Sequence, residues 1–116
     1  MSFLQNKSCS ACEGKSNALT KDETKKLLQE VPNWEPNDSH TAISCTLKCE
    51  NFHEVMSAIN GVACLANIEN HHPDISLGYN YCHITFTTHA VNGLSENDFI
   101  CASKINLLLN INVNSD

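Results

Sequence analysis

The period of the hydrophobic pattern changes within residues 40–70, which read HTAISCTLKCENFHEVMSAINGVACLANIEN. Apolar and polar residues alternate from His40 to Cys49, and a period of two predicts a β-strand with one covered face. From Phe52 onward the apolar residues recur at helical spacing, which predicts an amphipathic helix of about four turns. We interpret Gly61, inside this helix, as a close packing contact. This stretch therefore predicts a sheet with a helix packed against it.

The sequence on either side predicts two further helices and three further strands. Before the stretch, Thr20 and Glu23 have capping-box spacing, so a short first helix begins there and ends before Pro32. We place the hairpin partner of the 40–49 strand at Trp34. After the stretch, strands are predicted over residues 75–79 and 81–89, with His89 ending the polar face of the second.

The final helix carries more apolar surface than one helix face can bury. It is predicted over residues 99–113, after a capping-box start formed by Ser95 and Asp98. We expect part of its surface to meet another copy of the chain in a homo-oligomer, either a dimer or a tetramer. The surplus apolar residues are Leu107, Leu108, Leu109 and Ile111.

The predicted order is helix, strand, strand, helix, strand, strand, helix. Short connections and strands with one polar face favour an α+β fold, in which a four-stranded antiparallel sheet has three helices packed on one face. The chain has 116 residues, of which 41% are hydrophobic, and this length allows one core. We therefore expect a flexible N-terminal arm over residues 1–19 and a single domain over residues 20–116.

Charge and cysteine content limit the classes of function. The formal charge is −6 and no cluster of basic residues stands out, so direct binding to nucleic acid is not expected. The seven cysteines are an odd number, and no apolar run has the length of a signal peptide or a membrane span. We therefore expect a reducing, cytoplasmic location and no membrane. Cys9 and Cys12 form a CxxC pair, which lacks the second ligand pair of a structural zinc site.

Histidines are concentrated in residues 69–98, which contain four of the six in the chain. His71 and His72 follow the second helix, Pro73 restricts the backbone after them, and His89 ends the last strand. A neutral imidazole both donates and accepts, so such a cluster suits proton transfer without a metal. A purely structural role, in which the rings cap the helix and satisfy buried carbonyl groups, is the alternative.

The alternative to metal-free proton transfer is a metal site. Its candidate ligands are His71, His72, Asp74 and His89. Adjacent histidines point in different directions and rarely bind one ion, and no Cys or Glu lies at helical spacing to complete a ligand set. We therefore expect no metal.

Four short motifs occur in and around the histidine-rich segment: NHHPD at residues 70–74, YN at 79–80, HITFTTH at 83–89 and GLSEND at 93–98. Together they resemble the signature of the pterin-4a-carbinolamine dehydratase family. The resemblance extends from about Thr20, through PNW at residues 32–34, to the last helix, and the CxxC arm resembles bacterial members.

The resemblance implies a hydro-lyase that acts on a pterin. Its substrate would be 4a-hydroxytetrahydrobiopterin, the carbinolamine left by aromatic amino acid hydroxylases, and its product quinonoid dihydropterin. The resemblance also implies that histidines act as the acid and the base, and that no cofactor is needed because the pterin is the substrate. It further implies a functional link to a hydroxylase. The family fold has a four-stranded antiparallel sheet and three helices, in agreement with the predicted order.

The resemblance also implies the residues of the site. His71, His72 and His89 are expected to be catalytic, with His71 and His89 as the proton-transfer pair and His72 mainly in binding. Asp98 and Trp34 are candidates for supporting roles, although helix capping by itself accounts for Asp98. The residues expected to bind substrate are Asn70, His71, His72, Pro73, Thr87, Thr88, His89 and Ala90.

One position departs from the pattern of the resembled family. Many members have a glutamate four residues before the first histidine of the pair, where this chain has Asn67. Glu69 is two residues further along and points about 200° away around a helix, so it does not replace that glutamate.

A non-catalytic function is the alternative to a dehydratase. Animal members of the resembled family also bind homeodomain transcription factors through a helical dimer surface. A dimeric binding module or an assembly factor could therefore have the same fold. The presence of all three histidines favours the enzyme.

Overall fold

The order of helices and strands is the predicted one in residues 4–10 and 17–110, the part of the chain that the computed structural model describes. The predicted α+β class is confirmed. The elements are helix α1 (Lys21–Leu28), strand β1 (Glu35–Pro36), strand β2 (Ile43–Lys48), helix α2 (Phe52–Glu69), strand β3 (Asp74–Leu77), strand β4 (Tyr81–Phe86) and helix α3 (Glu96–Leu108).

The four strands form one antiparallel sheet in the order β1-β2-β4-β3. Burial alternates along the two central strands, as the period of two predicted. The covered face belongs to the same core as the apolar side chains of α2 and α3. From the sheet this core includes Ile43, Cys45, Ile84 and Phe86, and from the helices it includes Val55, Val62, Phe99 and Ile105.

Both predicted capping boxes are present. The Thr20 hydroxyl accepts from the backbone N–H of Glu23, whose carboxylate in turn accepts from the N–H of Thr20. Ser95 and Asp98 form the same reciprocal arrangement at the start of α3. Because each box satisfies backbone groups within one turn, both helix starts could be predicted from local spacing alone.

Strand β2 is shorter than predicted, because it begins at Ile43 rather than at His40. The side-chain Oδ1 of Asn37 accepts from the backbone N–H groups of Thr41 and Ala42, at 2.8 and 3.1 Å. These bonds hold the chain in a turn, so the N–H groups are not available to a neighbouring strand.

The prediction that His89 ends the last strand is wrong. Strand β4 ends at Phe86, opposite the first residue of β2, Ile43. Beyond this point Thr88 pairs with Gly93 in an isolated bridge, and residues 89–91 form a 3-10 turn between them. The chain therefore folds back on itself where the neighbouring strand no longer offers a partner.

Helix α3 begins at Glu96 and ends at Leu108, and residues 111–113 of the predicted helix lie outside the described residues. A Cβ atom added to Gly61 of α2 would lie 3.1 Å from the Cδ2 atom of Leu108, which confirms close packing at this glycine. None of the helices in the described ranges combines the length and the apolar character that a membrane crossing requires.

Part of the predicted N-terminal arm lies against the domain. Residues 4–10 begin with one 3-10 turn and pack along α3, with Leu4 only 3% exposed. Flexibility of the arm stays a prediction, and Cys12 of the CxxC pair lies outside the described residues.

Candidate functional site

A cleft of about 320 Å³ lies where the end of α2, the turn after β4 and the start of α3 meet. Pro73 and Trp34 are not among its lining residues. It brings together seven of the eight residues predicted to bind substrate, namely Asn70, His71, His72, Thr87, Thr88, His89 and Ala90, and adds Ser10 and Asn97.

The end of α2 places the two adjacent histidines at the cleft. Asn70 adopts the left-handed conformation, with φ of 54°, which asparagine tolerates better than most residues. The backbone N–H of His71 then donates to the carbonyl oxygen of Ala66 at 3.1 Å. This bond closes the helix end and directs the following chain away from the helix axis.

His71 is paired with a buried carboxylate. Its Nε2 lies 2.6 Å from Oδ1 of Asp98, whose side chain is fully buried. The other oxygen, Oδ2, accepts from the Thr88 hydroxyl at 2.7 Å and from the Ser95 backbone N–H at 2.9 Å. Two donors thus fix the Oδ2 atom of Asp98, and its Oδ1 atom faces the His71 ring. Asp98 therefore caps α3 and also holds His71, so capping is only part of its role.

The His71 ring is also fixed by stacking. It lies parallel to the ring of Phe86, with centroids 5.5 Å apart and planes 8° apart. The Trp34 ring contacts Phe86 in turn, with 5.8 Å between the two ring centroids. The Nε1 atom of Trp34 donates to Oδ1 of Asn106 at 2.9 Å. Trp34 therefore supports the site from the core, through Phe86.

His72 differs from His71 in exposure and in partner. It is exposed, and its Nε2 lies 3.0 Å from Oδ1 of Asn67, the residue at the family's glutamate position. A neutral amide thus contacts this ring where a carboxylate would place a charge. Glu69 faces elsewhere, because its carboxylate accepts from the backbone N–H of Cys9 at 2.8 Å and from Nζ of Lys104 at 2.7 Å.

His89 lies on the exposed 3-10 turn across the cleft from the paired histidines. Its ring makes no hydrogen bond with any described residue. Its position is set by the backbone, since the neighbouring Thr88 is held by the bridge to Gly93 and by its bond to Asp98.

His83 lies outside the cleft. Its Nδ1 is 2.7 Å from the Thr46 hydroxyl, and it lines a separate cavity on the sheet face with Ser44 and Lys48. Within the described ranges no three His, Cys, Asp or Glu side chains are grouped so that they could hold a metal ion. The alternative metal site of His71, His72, Asp74 and His89 is therefore not assembled in this arrangement.

Two cleft residues were missed by the sequence reasoning. The Oδ1 of Asn97 accepts from the backbone N–H of Ser10 at 3.1 Å, and its Nδ2 donates to the Ser10 carbonyl oxygen at 2.7 Å. The position of Asn97 beside Asp98 was a local signal for it. No pattern connects Ser10 to the cleft, because the two segments meet only in the folded chain.

Comparisons with known proteins agree on one family. The family model described as "Pterin 4 alpha carbinolamine dehydratase" matches residues 17–108. A protein of Legionella pneumophila (strain Lens) is 49% identical over 109 residues, which cover 93% of this chain and 96% of that protein. A protein of Methylococcus capsulatus is 45% identical, with 90% and 92% covered. Both are named "Putative pterin-4-alpha-carbinolamine dehydratase".

Two solved structures share the fold. A "transcriptional coactivator/pterin dehydratase from Brucella Melitensis" has a TM-score of 0.75 and 30% identity, covering 79% of this chain and 98% of that one. A "pterin dehydratase-like protein", described as a RuBisCO assembly factor in the alpha-carboxysome, has a TM-score of 0.58 and 16% identity, covering 68% and 92%. At 16% identity the second shows the fold alone.

Proposed function

The chain belongs to the pterin-4a-carbinolamine dehydratase family, and we propose that it is an active dehydratase for a 4a-hydroxytetrahydropterin such as 4a-hydroxytetrahydrobiopterin. One observation carries the proposal. The cleft gathers three histidines, and one of them is held by a fully buried carboxylate. One oxygen of this carboxylate belongs to the cap of α3, whereas the other faces the cleft histidine, an arrangement that suits proton transfer.

The proposed reaction needs an acid and a base. The hydroxyl group at C4a takes a proton and leaves as water, while the lone pair on N5 forms the new double bond to C4a. N5 then loses its own proton to a base, which yields the neutral quinonoid dihydropterin. Protons are transferred but no electrons are lost, so the proposed reaction requires no redox cofactor.

His71 is the better-positioned of the two proton-transfer residues. The carboxylate of Asp98 faces Nε2, which keeps the hydrogen on that nitrogen and leaves Nδ1 as the basic atom of the neutral ring. The carboxylate also stabilises the imidazolium that forms when Nδ1 accepts a proton. Stacking on Phe86 limits rotation of the ring, so the reactive nitrogen is held in one direction.

His89 and His72 have the remaining roles in this proposal. The exposed His89 ring can exchange protons with water between turnovers, which suits the acid that protonates the leaving hydroxyl. His72, bonded to the amide of Asn67, mainly binds and orients the pterin. The cleft residues Asn70, Thr87, Thr88 and Ala90 complete the proposed binding residues, and Pro73, outside the lining, acts by restricting the backbone after His72.

We propose that the protein acts as a homo-oligomer and beside an aromatic amino acid hydroxylase. Three apolar side chains of α2 and α3 are strongly exposed: Ile68 at 73%, Leu107 at 62% and Leu108 at 52%. An apolar surface of this kind is typical of a contact between subunits. The hydroxylase supplies the carbinolamine, whose chemistry requires an oxygenase acting on a tetrahydropterin.

The test is a coupled assay with a purified aromatic amino acid hydroxylase and a tetrahydropterin. Added protein should speed the disappearance of the 4a-carbinolamine absorbance well above the spontaneous rate. The double variant His71→Ala/His89→Ala, checked for folding by circular dichroism, should return the rate to background. No acceleration by the folded wild-type protein, together with no binding of the pterin, would refute the enzyme and favour a non-catalytic binding module.

A further inference from the structure

The N-terminal strap, defined here as residues 4–10, is attached to the domain at several points. Leu4 is buried in the core, and the backbone N–H of Cys9 donates to Oε1 of Glu69. The backbone N–H and carbonyl groups of Ser10 both bond the side chain of Asn97. The strap therefore ends in a defined position, beside the start of α3 and at the wall of the cleft.

Two cysteines meet where the strap crosses α3. The Sγ atoms of Cys9 and Cys101 are 3.5 Å apart, although 92 positions separate the residues in the sequence. Cys101 is fully buried, whereas Cys9 is half-buried and packs against the hydrophobic core. Among the cysteines in the described ranges, no other two sulfur atoms are in hydrogen-bonding contact.

We propose that Cys9 and Cys101 form a reversible disulfide that locks the N-terminal strap onto α3 beside the cleft, with a hydroperoxide such as hydrogen peroxide as the oxidant. The disulfide itself is independent of the proposed dehydratase activity. Its effect on the cleft rests on that proposed function.

The geometry requires only a small adjustment. A disulfide bond is about 2.05 Å long, so the sulfur atoms must approach by about 1.5 Å. Cys9 is half-buried near the end of the strap, and its Sγ also contacts the backbone carbonyl oxygen of Asn97 at 3.6 Å, so this thiol exchanges that contact for the bond to Cys101. Cys101 stays in place within α3.

The two thiols have different roles in the oxidation. The contact with Cys9 and burial both raise the pKa of the Cys101 thiol far above its usual range, so this residue remains a thiol. The half-buried Cys9 is therefore the residue that reacts first with the oxidant. Its sulfur gives up the thiol proton and attacks one oxygen of hydrogen peroxide, the O–O bond breaks, and the released hydroxide takes up that proton to become water.

The second step forms the disulfide. Cys101 Sγ attacks the sulfur of the Cys9 sulfenic acid, an S–S bond forms, and the departing hydroxyl leaves as water with the Cys101 proton. In total the two thiols lose two electrons and two protons, and one hydrogen peroxide becomes two water molecules.

The disulfide would act on the cleft through its neighbours in sequence. Ser10 directly follows Cys9, and Asn97 lies one helical turn before Cys101. Both line the cleft. In the oxidised protein this wall is covalently held, whereas in the reduced protein only hydrogen bonds and apolar contacts retain the strap.

The direct test is disulfide mapping of the full chain. Protein reduced with dithiothreitol and protein treated with hydrogen peroxide are unfolded, alkylated, digested and analysed by mass spectrometry. The expected oxidised product lacks two hydrogen atoms and contains one cross-linked peptide joining Cys9 to Cys101. The link should be absent from Cys9→Ser and from Cys101→Ala, and should persist in Cys64→Ser, which removes an exposed cysteine elsewhere. A Cys9 to Cys12 link, or a Cys101 that remains alkylatable after oxidation, would overturn the proposal.

The locking effect has its own readout, which does not require activity. Oxidation should slow hydrogen exchange at the Cys9 and Ser10 amides by about tenfold or more, because these groups bond Glu69 and Asn97 only while the strap is docked. It should also raise Tm by at least about 5 °C, because the cross-link closes a very long loop. A mapped disulfide that leaves exchange unchanged would refute locking. Exchange that slows on oxidation in a protein that is inactive in both the reduced and the oxidised state would support the disulfide and refute the dehydratase.

Discussion

His71 and Asp98 are 27 positions apart in the sequence, and their side chains meet at 2.6 Å between Nε2 and Oδ1. The ring is 13% exposed and the carboxylate is fully buried. One nitrogen of the imidazole therefore faces the protein interior, and the ring itself lines the cleft. In the proposed mechanism this contact makes a histidine of the cleft wall an oriented base.

The variant Asp98→Asn should impair the proposed catalysis and weaken the fold. An amide has one acceptor oxygen where the Asp98 carboxyl group has two, so one of the groups that contact Asp98 loses its partner, at a cost of about 1–3 kcal/mol in unfolding free energy. Without the carboxylate, kcat should fall by about tenfold or more while KM changes little. Asp74→Asn, an exposed carboxylate outside the cleft lining, is the matched control. Equal effects of the two variants on kcat would contradict the role given to Asp98.

The three histidines should separate by kinetic effect. His71→Ala and His89→Ala should each lower kcat by at least about tenfold after subtraction of the spontaneous reaction, as expected for a lost acid or base. His72→Ala should mainly raise KM, because a contact that binds the substrate and the transition state equally well affects KM and not kcat. His83→Ala, on the sheet face, serves as the control. If the folded His83 variant is as impaired as the His89 variant, the assignment of His89 has to be withdrawn.

Removal of metal ions should leave the dehydratase rate unchanged. The proposed reaction uses imidazoles for proton transfer, and the site was predicted to lack a metal ligand set. The measurement is the rate before and after exhaustive dialysis against a chelator, with metal content determined in parallel. Stoichiometric zinc whose loss and return follow the activity would contradict this expectation.

Self-association should depend on the exposed apolar side chains of α3. The double variant Leu107→Glu/Leu108→Glu places two charges on this surface and should lower the mass measured by light scattering. Tyr79→Glu, which replaces a side chain that is 67% exposed far from this surface in sequence, is the control. Loss of association in the Tyr79 variant and not in the leucine variant would place the subunit contact elsewhere.

Glu69 should make the stability of the fold depend on acid pH. Burial alone raises its pKa, but the backbone N–H of Cys9 and the ammonium group of Lys104 outweigh burial, so the pKa of Glu69 is lowered. A lowered pKa adds stability above the unfolded value of about 4.3, and this stability is lost as the pH falls through the lower folded value.

The variant Glu69→Gln tests this dependence. It keeps an acceptor for Cys9 but loses the charge beside Lys104, so it should unfold more easily by about 1–2 kcal/mol at neutral pH. The difference in unfolding free energy between this variant and the wild type, measured by urea unfolding, should become smaller in acid. The decrease should be clear once the pH is about one unit or more below 4.3, the reference pKa of glutamate. Glu96→Gln, which removes an exposed ion pair with Lys7, should show little change. A difference that is constant over this range would exclude the charge of Glu69 as its cause.

The order of elements and the starts of the helices were predictable from the sequence. Thr20 with Glu23, and Ser95 with Asp98, act within a single turn, so their spacing contains all the information required. The alternation before Cys49 reflects burial of one sheet face in the same local way. The ends of the central strands were not predictable, because the alternating pattern continues through residues whose backbone groups are used by the Asn37 turn and by the Thr88–Gly93 bridge.

The sequence by itself determined the fold class and the types of residue in the cleft, because periodicity and short motifs are local properties of a chain. Only the tertiary structure decided what each residue contacts. The pairing of His71 with Asp98, the attachment of Ser10 to Asn97 and the approach of Cys9 to Cys101 join segments that are distant in sequence. Such contacts depend on how helices and sheet pack together, and packing depends on the shape of the whole core rather than on any short window of residues.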